Sequence, residues 1–521
     1  MKAICKSQCS RLRQYDDLII FVLLSIGFLS TYLFRHFEYF RDYAVMYDGA
    51  YRISRGDFPY KAFGMPVGPV SLLLPAALFT IMGPAWVNVI TAQQIVNVVQ
   101  LGVFTLILRR LNIRKSQRHL AMVTYSFLYL LTLSHSWYNN TAALLFSLCV
   151  FLSLSPKITS RLLCGVCLGL CIFCKQDYGA LSVLVSAVLS YVRLNTDPFF
   201  SQHNLWYRVR RYMLCTYPIM LTMIVVAVLF VALLGYSEFS YWFNYGQSYQ
   251  THRRLDLKSL VSNCQFVFFV IGTVNFIRTK HMSDAVCFLV LATSCVVSQT
   301  SGLPHTSNFF VGYIPVIIAS IGWPSPKLRV YFVVAAALLS MYLLKQQIKN
   351  VFNVGRNIAL DLPEPYHFYG LSRRRLVRIP TSYGRFGSNN DVPYGTLALI
   401  QWLRSTYSGR GISNPVYVLN MSELSPLTSD AAFRFPKGLP LWFHTGVTLF
   451  PREVDIIERD INAGTYELII FQGVHEMSPT LQRLVSLLNK SSVYTKIAVY
   501  ASPSANDYGS DDFNISVFVR K

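Results

Sequence analysis

Charged residues are scarce in this chain, and acidic residues are the scarcer kind. Asp, Glu, Lys and Arg together make up 14% of 521 residues, whereas a soluble domain carries about 25%. Hydrophobic residues make up 53%, which is more apolar surface than one soluble core can bury. The composition therefore excludes a single large soluble enzyme, and it excludes a disordered chain for the same reason.

Cysteine is missing from the whole C-terminal part of the chain. All 11 cysteines lie at or before Cys295, in the N-terminal tail or in apolar stretches, and residues 296–521 contain none. A secreted disulfide-linked protein would carry cysteines in its soluble part. That class is therefore excluded.

Four of the cysteines follow the spacing C-x2-C-x3-C-x2-C, at Cys164, Cys167, Cys171 and Cys174. Two C-x-x-C pairs suggest zinc, but these positions share one face of a single helix and cannot surround an ion tetrahedrally. Gly165 and Gly169 lie among them. Small residues of this kind predict close helix packing in lipid, and we assign no metal site to the sequence.

The chain contains many long apolar stretches. A membrane-spanning helix needs about 20 mostly apolar residues, and eleven stretches approach that length. They are roughly 17–35, 88–108, 119–134, 141–155, 161–174, 178–193, 212–235, 259–277, 284–300, 308–323 and 328–345. The sequence therefore predicts a multi-pass α-helical membrane protein with about 11 transmembrane helices.

Basic residues predict how these helices are oriented. Lys and Arg number 47 against 25 Asp and Glu, an excess that in a soluble protein would suggest nucleic acid. With the N-terminus in the cytoplasm, the tail and the cytoplasmic loops hold 19 basic residues and the short outer loops hold fewer than ten, as the positive-inside rule requires. The apolar stretch 69–84 must then lie along the outer surface or re-enter, because a further span would turn the basic loops outward.

The C-terminal part predicts a second domain. After a membrane domain of residues 1–346, residues 347–521 become polar, and helix and strand patterns alternate. The helical patterns cover 395–407, 453–464 and 480–490, and the strand patterns cover 415–421, 466–473, 495–501 and 515–521. This is a soluble α/β domain, expected on the outer, periplasmic side of a bacterial inner membrane.

The first predicted outer loop, residues 41–69, holds most of the candidate chemistry. Its ionisable and aromatic residues include Asp42, Asp48, Asp57, Arg52, Arg55, Lys61, Tyr47, Tyr51 and Tyr60. A carboxylate held where a span meets water can act as a general base or a metal ligand. The alternative is a polar loop whose acids pair with its own arginines, Asp48 with Arg52 four residues on.

This loop resembles the first outer loop of the GT-C glycosyltransferases, membrane enzymes that take sugar from a polyprenyl-phosphate carrier. The mannosyltransferase of GPI-anchor synthesis and bacterial relatives have D-Y-x-V, D-x-A and G-x-x-P-Y there, and this chain has the three motifs in register at 42–45, 48–50 and 56–60. The resemblance implies that Asp42 is the catalytic carboxylate, with Asp48 and Tyr60 as further site candidates. The GPI-type motif has a second Asp where this chain has Phe40. We therefore expect a single-carboxylate mechanism with no required cofactor, while a role for Mg²⁺ or Mn²⁺ stays open.

A second candidate cluster follows the fifth predicted span, at Lys175, Gln176 and Asp177. A Lys at the bilayer edge is costly to bury and marks a functional site, and it could hold a lipid phosphate by charge-assisted hydrogen bonds. We expect Lys175 and Arg52 to bind the donor phosphate. The alternative is a snorkelling Lys, or a Lys175–Asp177 pair that closes a helix.

His305 is the third candidate, in the predicted outer loop 300–308. An imidazole there could orient the acceptor, stabilise the leaving phosphate or shuttle a proton; a lone loop histidine is otherwise simply solvated.

The resemblance and the residues together predict a membrane glycosyltransferase. The expected partners are a polyprenyl-phosphate-linked sugar, a lipid, glycan or protein acceptor, and membrane lipids, with no nucleic acid. The alternatives are a transporter or flippase of lipid-linked sugars and a non-catalytic subunit of cell-envelope assembly. A transporter would carry charges near the midplane and repeated halves, and the sequence has neither.

The predicted orientation can be tested with topology reporters. Because the basic residues are assigned to the inside, a reporter fused after Lys349 should be active on the outer side and one after Arg114 in the cytoplasm. Reporter activity on the same side for both fusions would contradict the eleven-span arrangement.

Overall fold

The computed structural model describes most of the chain. The described residues are 16–28, 37–38, 41–65, 68–130, 138–196, 204–241, 264–301, 304–320, 376–378, 390–407, 415–422, 424, 433–441, 443, 449–472, 479–500 and 514–521. The predicted span 328–345 and the predicted boundary between residues 346 and 347 lie outside them.

Helices make up the N-terminal part. They are α1 (16–28), α2 (Arg41–Ser54), α3 (Val70–Met82), α4 (Trp86–Arg110), α5 (Lys115–Leu128), α6 (Tyr138–Ser153), α7 (Ile158–Ile172), α8 (Gln176–Asn195), α9 (Leu205–Leu234), α10 (236–241), α11 (Cys264–Thr279), α12 (Met282–Ser301), a 3₁₀ helix (Pro304–Tyr313) and α13 (Ile314–Ser320). Each predicted span apart from 328–345 overlaps at least one of these helices, so the mostly helical class is confirmed.

Length separates these helices into two groups. Four in the described part of the chain are long and apolar enough to cross a membrane, within α4, α8, α9 and α12. Others are apolar but shorter, such as α6 with 16 residues, which extends about 24 Å against a hydrocarbon core of about 30 Å. The count of about 11 spans therefore stays a prediction. Helix α3 has only 13 residues, and the surface or re-entrant placement of 69–84 also stays a prediction.

An ion cluster joins α1 to the turn between α4 and α5. Asp17 is buried and lies 2.9 Å from Arg109, 2.8 Å from Arg118 and 2.8 Å from His119. Asp17 therefore neutralises part of the basic loop that predicted the cytoplasmic side, and it fixes α1 to α4 and α5.

The cysteine-rich helix α7 packs closely on both sides. A Cβ added at Gly165 would lie 2.4 Å from the carbonyl oxygen of Ile219 on α9, so the two helices touch through backbone. On the other side the thiols contact α6 and α8: Cys164 lies 3.7 Å from the Ser186 hydroxyl and Cys171 3.5 Å from that of Ser182. The predicted packing role is confirmed for Gly165, Cys164 and Cys171, whereas Cys174 lies beyond the end of α7 and not on the same helix.

The C-terminal part contains the predicted helices and strands. Helices α14 (Tyr394–Tyr407), α15 (Pro451–Asn462) and α16 (Pro479–Lys490) alternate with strands β5 (Val418–Met421), β7 (Leu468–Gln472), β8 (Tyr494–Tyr500) and β9 (Ile515–Arg520). These strands form one sheet in the order β5-β7-β9-β8. Alternate residues of β7 pack into different clusters, Ile470 towards α14 and Ile469 towards α15 and α16, so both faces of the sheet are covered.

Two further strand pairs connect the segments around α2 to the C-terminal part. Strand β1 (Phe37–Glu38) pairs in parallel with β4 (Asn390–Pro393), which also pairs with β3 (Leu376–Arg378). Strand β2 (Phe63–Gly64) pairs in parallel with β6 (Leu439–Pro440). Helix α2 is therefore held at both ends by residues more than 300 positions away in sequence, a contact that the sequence analysis did not predict.

A third contact places α10 against the start of α15. The Tyr241 hydroxyl donates to the carboxylate of Glu453, with oxygen distances of 2.9 and 3.0 Å, and the Arg452 guanidinium lies 3.5 Å from the centre of the Tyr241 ring. Glu453 also accepts the Phe450 N–H at 3.1 Å, so one buried carboxylate caps α15 and holds α10.

The α7–α9 contact gives a stability prediction. Gly165→Ala places a methyl group against a backbone carbonyl, so the helices must separate, and we expect the free energy of unfolding to fall by about 2 kcal/mol. Gly27→Ala is the matched control, since a Cβ there meets nothing within 4 Å. Thermal unfolding in detergent compares the two variants, and equal melting temperatures would contradict the proposed packing.

Candidate functional site

Helix α2 begins with the predicted catalytic motif. Asp42 lies in its first turn, where the helix dipole favours a carboxylate; the Asp42 side chain is outside the described residues. Further along, Tyr47 is fully buried and its ring lies 4.9 Å from Phe79 and 5.2 Å from Trp86. The first outer loop is thus largely a helix, and its aromatic face fixes its rotation against α3 and α4.

The loop's second carboxylate is engaged in an ion pair. Asp48 lies 3.1 Å from Arg52, both side chains are almost fully buried, and the Arg52 guanidinium lies 3.9 Å from the centre of the Phe435 ring. The alternative that the loop acids pair with its own arginines therefore holds for Asp48. Arg52, expected to bind the donor phosphate, faces the C-terminal part of the chain instead, and its role in donor binding stays a prediction.

Tyr60 is a buried packing residue in the structure. It has a positive φ of 65°, a conformation that non-glycine residues rarely adopt, and its ring lies 6.1 Å from Phe239 of α10. Burial raises the pKa of its hydroxyl, so it stays protonated. Phe239 also lies 5.5 Å from Phe173, so Phe239 links the first loop to the end of α7.

Gly68 joins the first loop directly to the second candidate cluster. Its N–H donates to the carbonyl of Cys174 at 3.2 Å, and the Val70 N–H donates to the carbonyl of Phe173 at 3.2 Å. A Cβ at Gly68 would lie 1.7 Å from the Phe173 carbonyl oxygen, so only glycine permits this approach. The two clusters singled out in the sequence are therefore adjacent in the fold.

Lys175 is held by a buried network at the start of α8. It occupies the N-cap position and is 5% exposed, and its ammonium group donates to Asp177 at 2.9 Å. Asp177 also accepts the Tyr178 N–H at 2.7 Å and the Thr300 hydroxyl. The Lys175–Asp177 pair given as the alternative is present, and through Thr300 it brings the second and third candidate clusters together.

The remaining candidates border this network. Gln176 is the first residue of α8, directly after Lys175. His305 lies in the 3₁₀ helix Pro304–Tyr313, five residues beyond Thr300, and its side chain is outside the described residues. The site roles of Gln176 and His305 stay predictions.

The sequence analysis missed a row of buried amides on α4. The side chains at positions 93, 94, 97 and 100 are all buried in a helix long enough to span. Gln93 donates to Asn97 at 2.7 Å and accepts from Asn140 of α6 at 3.1 Å. Beside them Asn139 is fully buried, and within the described part of the chain neither atom of its amide has a hydrogen-bond partner. The sequence already contained this signal. Amide side chains are costly to place inside a membrane span, so four of them in one apolar stretch indicate a functional role.

The amides adjoin the Lys175 network through Tyr138, the first residue of α6. The Tyr138 carbonyl accepts from the Cys174 thiol at 3.3 Å, and the Lys175 ammonium lies 5.9 Å from the centre of the Tyr138 ring. Asn139 and Asn140 follow directly. Unpaired buried polar atoms are rare in proteins and indicate water or a ligand, so this place beside Lys175 is suited to a polar ligand.

The described carboxylates are not arranged to hold a metal ion. Among the residues that the structure describes, no three His, Cys, Asp or Glu side chains converge. Asp48 and Asp177 are engaged by Arg52 and Lys175. A divalent cation therefore stays a prediction tied to Asp42.

The fold matches that of solved structures over nearly the whole chain. The chain is similar to ArnT from Cupriavidus metallidurans bound to undecaprenyl phosphate, with a TM-score of 0.52 and 13% identity over 96% of this chain and 97% of that one. It is also similar to the apo state of the same protein, with a TM-score of 0.50 and 14% identity over the same shares. No family model and no curated protein matches the sequence.

The Lys175–Asp177 ion pair gives a stability prediction, which compares the removal of one charge with the removal of both. Asp177→Asn leaves a buried ammonium without its counter-charge, which costs about 3–5 kcal/mol of stability. The double variant Lys175→Met with Asp177→Asn removes both charges and should recover part of that loss.

Thermal unfolding in detergent measures both variants. Arg483→Gln is the control, because Arg483 pairs with Glu458 at the surface, where an ion pair contributes little. A double variant less stable than Asp177→Asn would show that the buried pair is not the source of the effect.

Proposed function

We propose that this protein is an integral-membrane glycosyltransferase that transfers a sugar from a polyprenyl-phosphate carrier to an acceptor at the outer face of the membrane. The observation that carries the proposal is the ArnT-like fold over nearly the whole chain. In this chain the segment after the helix that begins with the D-Y-x-V motif contacts the residues just before a buried lysine. The undecaprenyl phosphate bound to ArnT is a carrier lipid of the kind that the first-loop motif suggests.

Lys175 is the residue proposed to hold the phosphate of the donor. Its ammonium group has three N–H donors, of which one goes to Asp177. Asp177 and Thr300 keep the side chain in one orientation, so little side-chain entropy is lost when phosphate binds. The positive charge matters most as the phosphate leaves, because negative charge develops on its oxygen in the transition state.

Asp42 is the proposed general base. It removes the proton from the acceptor hydroxyl as that oxygen attacks the anomeric carbon. The new bond joins the acceptor oxygen to the anomeric carbon, and the bond to the phosphate oxygen breaks, so that polyprenyl phosphate leaves. A single displacement of this kind inverts the anomeric configuration.

The proposed mechanism assigns different roles to the two first-loop carboxylates. Asp42→Asn keeps the shape and removes the base, so transfer should fall by roughly 10²–10⁴ with the melting temperature unchanged. Asp48→Asn should instead lower the melting temperature, because it leaves the buried Arg52 without its carboxylate.

The measurement is the loss of label from a sugar-labelled polyprenyl phosphate in membranes at matched expression, with native membranes supplying the acceptor. Lys175→Met serves as the phosphate-site variant and should also reduce transfer. Transfer that survives Asp42→Asn but is lost in a folded Asp48→Asn variant would reverse the two roles. A transporter would move the labelled donor without removing its sugar.

A further inference from the structure

A cavity of about 290 Å³ lies between the end of α2 and the C-terminal part of the chain. One wall comes from residues 51–62, which include the end of α2 and the turn after it. The other wall comes from Pro415 and from the segment 433–437. The cavity is therefore built by the same two parts of the chain that β2 and β6 join.

The walls of this cavity carry an excess of positive charge. Its basic residues are Arg52, Arg55, Arg434 and Lys437, against one carboxylate, Asp57. Even when Asp48 is counted against Arg52, two positive charges remain. In the part of the chain that the structure describes, Arg55, Arg434 and Lys437 have no ion-pair partner.

Backbone hydrogen bonds and side-chain contacts hold the segments that carry these basic residues. The Arg434 N–H donates to the Val416 carbonyl at 2.8 Å, and its own carbonyl accepts from the Val418 N–H at 3.0 Å. Next to Lys437 on the same wall, the Gly438 N–H donates to the Ala62 carbonyl of the facing wall at 2.9 Å. Arg52 is fixed by Asp48 and by the Phe435 ring. Positive charges held in place on both sides of a cleft attract an anion without reorganising first.

We propose that this cavity binds a phosphate-bearing group. Arginine presents paired N–H donors that match phosphate oxygens, and here arginines face each other across a gap that admits a small anionic group. The group comes either from a water-soluble phosphate ester or from a lipid headgroup. The site makes contacts separate from those of Lys175, so it is a second anion site and does not depend on the proposed transfer reaction.

The test measures binding to the full-length protein in an uncharged detergent. Equilibrium dialysis with radiolabelled inorganic phosphate and glycerol 1-phosphate examines the soluble source. Short-chain phosphatidylglycerol, compared with short-chain phosphatidylcholine, examines the lipid source. The double variant Arg434→Gln with Lys437→Gln removes both basic residues of the second wall. Both side chains are exposed, so folding should persist.

We expect the double variant to weaken binding about tenfold or more, since each charged contact contributes of order 1 kcal/mol. The control Lys496→Gln, an exposed lysine on β8, should leave binding unchanged. An effect on the phosphate esters identifies a soluble source, and an effect on phosphatidylglycerol alone identifies a lipid. Wild-type affinity of the double variant for all probes would overturn the proposal.

Discussion

The backbone contact between Gly68 and the end of α7 is the constraint on which the candidate site depends. It joins the segment after α2 to the residues just before Lys175, with the Gly68 N–H on the Cys174 carbonyl. Since a Cβ at Gly68 would overlap the Phe173 carbonyl, the distance between the two segments is set by backbone alone. The starting positions of the side chains on both segments follow from this backbone contact.

Most buried charges that the structure describes in the membrane part are ion-paired; Asp284, which accepts from the Thr279 hydroxyl, is an exception. Asp17 lies against two arginines and a histidine, Asp48 against Arg52, and Lys175 against Asp177. Removing one partner from such a pair costs more than removing both. The Asp17 cluster fixes α1 against α4 and α5, whereas the other two pairs hold side chains within α2 and at the start of α8. Each pair limits which substitutions its position accepts.

Sequence reasoning succeeded where the signal was local. The C-terminal helices and strands follow from hydrophobic periodicity, and the Asp48–Arg52 pair follows from a spacing of four residues on a helix. The pairing of β2 with β6 was missed, because two-residue strands have no periodicity and their partners are distant in sequence. The amides of α4 were readable but were passed over as part of an apolar stretch. The proposed role of Asp42 rests on the family resemblance, and that of His305 rests on its position in a predicted outer loop.

The strand pairs on either side of α2 also bear on the time course of synthesis. Residues 37–38 and 63–64 leave the ribosome early, whereas their partners at 390–391 and 439–440 leave it near the end. Contacts of such high sequence separation form late. During translation the helix that carries Asp42 is inserted next to its membrane helices without its strand partners, so the chain reaches its final arrangement only after most of the C-terminal part has been made.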